Sequence, residues 1–275
     1  MLRKLMKYEL KATARIFLLL YGTVLALGLL NKLFFMMGIF GGNLPFPVEL
    51  TAGLTMMMYF FVIGAIFVMT LIITIQRFYK NLLGDEGYLM FTLPVKPWQH
   101  IVSKMTVAIF WFIVSIFVTI FSGLMIGISF ELLAELPDIF SQIMGEFYEY
   151  FSFHWLFFFL EILVLCLAGL CSQILMIYAS MSAGHLFQKH RLIGSFASFL
   201  GFNFVMQLAS GFFFVFLDVI GRKNWRLFHN LSLFEPDSLM PLHIGMLILI
   251  IWSLIICTVY FIFTNYILNR KLNLE

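Results

Sequence analysis

Charge is what this chain lacks. Of its 275 residues only 11% are Asp, Glu, Lys or Arg, while 62% are hydrophobic; soluble domains carry roughly 25% charged residues. Too little polar surface remains to cover a water-soluble fold. That excludes soluble enzymes, secreted scaffolds and nucleic-acid-binding domains, and leaves an all-α integral membrane protein in a lipid bilayer. Cysteine is as sparse: Cys166, Cys171 and Cys257 are the three present, none at CxxC spacing and all within apolar runs, so packing in lipid replaces disulfide or metal chemistry. No G-x-x-x-x-G-K-[ST] cradles a nucleotide phosphate, and neither H-E-x-x-H nor a nucleophile elbow is present. No catalytic or metal-ligating residues are therefore expected.

Proline is also missing where it would do harm. Six apolar stretches are long enough to cross a hydrocarbon core of about 30 Å as helices: 16–37, 54–75, 105–130, 155–180, 192–220 and 244–268. All seven prolines (Pro45, Pro47, Pro94, Pro97, Pro137, Pro236 and Pro241) fall between them. No segment shows the alternation of a membrane barrel. Thirteen of the 17 basic residues gather on one side of this six-span plan, at 3–15, 77–104, 189–191 and 270–271, which places both termini in the cytoplasm. Segments 131–154 and 221–243 are then extracytoplasmic. The first of these holds Glu131, Glu135, Asp138, Glu146 and Glu149 and no basic residue. The first span is expected to be retained rather than cleaved as a signal peptide, because its apolar run exceeds the 7–15 residues of a usual signal core.

Two cytoplasmic features stand out. In segment 1–15, Arg3, Lys4, Lys7, Lys11 and Arg15 fall on one arc of a helical wheel and Leu2, Leu5, Met6 and Leu10 on the other side. This predicts an amphipathic interfacial helix along the headgroups before the chain turns into the membrane. The 76–104 loop is far longer than the 2–8 residues usual between packed helices. Within it, Gly84 makes a turn, Asp85 and Glu86 suit a helix N-terminus, and Pro94 stops the element. Gly87, Tyr88, Leu89, Phe91, Thr92 and Leu93 complete a short, apolar, capped helix that needs a surface to pack against.

The run Glu86-Gly87-Tyr88-Leu89, then Thr92-Leu93-Pro94-Val95, then Ser103-Lys104 resembles the first cytoplasmic loop of bacterial ABC-2-type transporter permeases. The likeness extends to the basic N-terminal helix, the six spans and the shorter loop at 185–191. It departs at Tyr88, where many relatives carry a small hydroxyl residue, and in a longer segment between spans three and four. The resemblance implies a single permease domain over 1–275 and a place in the bacterial cytoplasmic membrane. It implies that the stretch from Gly84 to Pro94 couples to a separate ATPase subunit, which binds ATP and Mg. It also implies a second permease, identical or related, and export as the direction of transport.

Polar residues within spans are the remaining candidates. Glu161 lies in span four, where an ionised carboxylate is costly; it either lines a substrate path or is a protonated or interfacial acid bonded to a neighbouring helix, and no basic partner within the membrane is evident for it. Asn203 and Gln207, at i and i+4, share a face of span five and either join helices or line a substrate path. Gly123 and Gly127, and Gly194, Ala197, Ser198 and Gly201, offer close packing. An ion-gradient-driven transporter, or a non-transporting immunity or assembly protein, would also fit six spans. The first of these needs paired ionisable groups in the membrane.

Overall fold

Apolar runs without internal proline fold as long helices, because in lipid each backbone N–H and C=O must be satisfied within its own segment. The computed structural model describes residues 2–38, 46–84, 87, 90, 92, 95–128, 130–151, 154–187, 190–223 and 240–270. In them the chain forms α1 (Leu2–Met36), α2 (Phe46–Phe78), a π-helical turn (Tyr79–Leu83), α3 (Pro97–Gly127), α4 (Phe130–Phe151), α5 (His154–Gly184), α6 (Arg191–Lys223) and α7 (Met240–Arg270). Six of the seven α-helices, all but α4, are long and apolar enough to cross a membrane. The protein is a polytopic helical membrane protein.

The helices outrun the apolar stretches. Pro97 opens α3, and Pro47 and Pro241 are the second residues of α2 and α7, positions where a missing backbone donor costs nothing. The loop from 76 to 104 accordingly shortens to the segment between Leu83 and Pro97. Nor does the chain turn after Arg15: the basic segment and the first span are one continuous helix. The 131–154 segment is itself helical, as α4. Leu136, Phe140, Ile143, Met144, Phe147 and Tyr148 are all exposed and occupy an arc of about 140° on its wheel. Glu135, Asp138, Glu146 and Glu149 lie opposite, the pattern of a helix that lies along a bilayer surface.

The chain packs as two units, Met1–Leu82 with Leu89–Phe140, and Leu83–Tyr88 with Ser141–Glu275. In the first, α1 touches both α2 and α3. Its inward face is Glu9, Thr13, Phe17, Tyr21, Val24, Gly28 and Asn31, a run at helical spacing. Phe17 stacks on Trp111 with ring centroids 4.4 Å apart, and the Trp111 indole donates to Thr13 Oγ1 at 2.7 Å. Tyr21 bonds Ser115 and Tyr59 bonds Ser122, each at 2.9 Å. Thr55 donates to Asn31 Oδ1. Lys32 Nζ donates to the Ile126 and Ile128 carbonyls at the end of α3, where a helix has carbonyls to spare and favours a cation.

In the second unit α5 touches both α6 and α7. A Cβ on Gly184 would lie 2.1 Å from Ser195 Oγ and 2.2 Å from its backbone nitrogen, so only glycine lets α5 and α6 meet there. Cys257 Sγ donates to the Ala168 carbonyl, joining α7 to α5. Phe213 of α6 stacks on Trp252 of α7 at 4.1 Å.

Candidate functional site

The loop after α2 springs from a buried charge cluster in the first unit. Glu9 projects from α1 on the side opposite its basic arc, among apolar residues. There it accepts from Lys104 of α3 and pairs with Arg77 of α2 at 3.8 Å. Glu9 is 8% exposed and Lys104 4%, so the attraction between them acts with little screening by water. One carboxylate thus gathers the last turn of α2, the N-terminal part of α3 and the basic helix α1. His100, one turn before Lys104 and 1% exposed, hydrogen-bonds the Met90 backbone. Met90 is thereby tied to α3.

In the second unit the π-helical turn ends at Leu83. A turn with i→i+5 bonding is rare and recurs at functional sites, and the last carbonyls of any helix need partners from outside its own ladder. His185, in the connection between α5 and α6, takes one of these: its Nε2 donates to the Leu83 carbonyl at 2.7 Å. Burial holds the His185 pKa below the ordinary value and nearby Arg191 lowers it further, opposed by the bond to Leu83. The neutral imidazole is thus favoured. Gly87 is helical and buried, and its N–H donates to the Gly84 carbonyl at 2.8 Å. This supplies the expected turn at Gly84. Thr92 is an exposed turn residue. Asp85, Glu86, Tyr88, Leu89, Phe91, Leu93 and Pro94 lie outside the described residues.

Glu161 is not alone. His243 of α7 places Nδ1 2.9 and 3.0 Å from its two carboxylate oxygens. The absence of a partner, expected from the sequence, is thereby corrected: His243, in the first turn of α7, supplies one. Asn203 donates to the Phe199 carbonyl one turn back on its own helix, and Gln207 is exposed. Gly127 meets nothing within 4 Å and Gly123 only the Tyr59 hydroxyl at 3.9 Å. Gly194, one of the expected positions, does make a close approach, and the others are at Gly28 and Gly184.

Glu9, Lys32, His100 and His243 are the polar groups that sequence reasoning passed over. Glu9 carried a signal, being the one acid among five basic residues and on the apolar face of their helix. No protein-family model matches this chain, and neither does any curated protein or solved structure.

Proposed function

We propose that this chain is the membrane-embedded permease subunit of an ATP-driven exporter of the ABC type. It lies in a bacterial cytoplasmic membrane with both termini inside and works as two copies, or beside one related permease. ATP and Mg2+ bind to separate ATPase subunits. The observation that carries the reading is the Glu9 cluster, in which α1, α2 and α3 converge on one carboxylate at the root of the loop whose residues resemble a coupling helix. Force that reaches α2 or α3 along the chain is then shared with α1 through Glu9. The loop transmits work only if its contacts with the ATPase differ between the two nucleotide states.

Replacing Tyr88, Leu89 and Leu93 by glutamate tests this. Association with the ATPase subunit and ATP-dependent transport in proteoliposomes should both be lost while the purified chain stays folded. Unchanged association and turnover would overturn the reading. Transport driven by an ion gradient is the second reading, and the Glu161–His243 pair is what favours it. Proteoliposomes holding this chain alone, under an imposed gradient and without ATP, separate the two.

A further inference from the structure

The pair at the start of α5 and α7 has an unused atom. His243 is 8% exposed, and its Nδ1 is held by both oxygens of Glu161. Among the described residues its Nε2 is buried without a hydrogen-bonding partner. Leaving a buried ring nitrogen unmatched is costly. A carboxylate on Nδ1 also fixes the tautomer: the proton stays on Nδ1, and Nε2 presents a lone pair in a set direction. Such a carboxylate–histidine arrangement orients imidazoles that bind transition metals.

A second imidazole is at hand. The His154 ring centroid lies 5.4 Å from that of His243, with the planes tilted by 41°. Two imidazoles on one tetrahedral ion, each with a metal–nitrogen bond of about 2.0–2.1 Å, would place their centroids about 5 Å apart. His154 is exposed and opens α5, so an ion can reach the buried ring from its side. Phe158 packs edge-on against His243 with centroids 5.4 Å apart, limiting that ring's freedom to turn away. The starts of two helices oppose a cation here, and the Glu161 carboxylate offsets them.

We infer that His154 and His243 bind a borderline divalent transition metal of the zinc class, with Glu161 acting through His243 as a positioning residue. Among the described residues no three His, Cys, Asp or Glu are grouped to enclose a metal. Among the described residues the site therefore has two protein ligands, with its remaining positions left to water. This is an open arrangement that loads and releases an ion, unlike the closed four-ligand cage of a structural zinc. The inference does not depend on an ATPase partner.

The experiment uses the full chain purified in detergent and Zn2+ alone, followed by titration calorimetry, with Co2+ absorption as an independent signature of nitrogen ligation. One ion per chain is expected. His154→Ala and His243→Ala should each weaken binding at least tenfold and abolish the Co2+ bands, and Glu161→Gln should weaken it by roughly 10–100-fold. Should His243→Ala fail to fold, the exposed His154 still decides through His154→Asn. Absence of saturable Zn2+ binding, or binding unchanged in the His154 variants, would overturn the site.

Discussion

The two units solve the same packing problem differently. In the first, polar side chains bridge helices along their whole length, from the Glu9 cluster through Thr13–Trp111 and Tyr21–Ser115 to Tyr59–Ser122 and Asn31–Thr55. In the second, α5 and α6 meet through a glycine too confined to bear a methyl group, and the Glu161–His243 hydrogen bonds lie at the start of α5 and α7. Lipid tails are as apolar as leucine, so helices in a bilayer gain little by hiding apolar surface from one another. Directed bonds and close backbone approach are the alternatives, and each unit relies mainly on one.

The sharpest way to break that contrast is at Lys104. Lys104→Met should lower the stability of the detergent-solubilised protein by about 3–5 kcal/mol, because Glu9 loses its shorter partner while staying buried. Denaturant titration checks this, and Glu9→Gln/Lys104→Met together should cost less than the two single losses summed. Gly184→Ala comes next: the new methyl would strike the Ser195 backbone, and a loss of about 1–3 kcal/mol is expected. Gly127→Ala, in open space, should be neutral or stabilising by up to about 1 kcal/mol.

Tyr21→Phe and Tyr59→Phe sharpen the comparison, each costing about 0.6 kcal/mol, the average for a hydrogen bond between membrane helices. Ser210→Ala, which removes the long 3.4 Å bond from Trp252 in the second unit, should be indistinguishable from the parent in the same titration. The pH-dependent effect belongs to His185. Its pKa is lowered on folding, so the unfolded chain takes up the proton more readily than the folded one. Its stabilising contribution is complete above the unfolded value of about 6.5 and is lost as pH falls below it. A shallower decline between pH 7.5 and 5 in His185→Asn than in the parent would show this.

Hydropathy made the six spans legible, because each needs only its own residues to declare itself. Helix ends were less so. Pro97 and Pro241 look like boundaries, yet both lie in the first turn of a helix, since proline fits there as well as in a linker. The helix α4 was hidden by Pro137 and by its five acids, although Leu136, Phe140, Ile143 and Phe147 keep helical spacing throughout. Glu9 could be seen to point the wrong way on its wheel. That it would meet Lys104, 95 residues on, could not be read, because the meeting depends on how two helices are rotated about their axes. Glu161 and His243 were separated by the same difficulty. Asn203 shows a different limit: its amide reaches a carbonyl on its own helix, which spacing alone does not distinguish from a neighbour's.

The unbroken course of α1 has a mechanical consequence. Thirty-five helical residues make a stiff rod of about 52 Å, well beyond a hydrocarbon slab of about 30 Å. With no joint to absorb bending, sideways force applied to its charged end rotates the embedded remainder by the same angle. Motion at the membrane surface is thereby converted into reorientation at depth without any part of the backbone having to unfold.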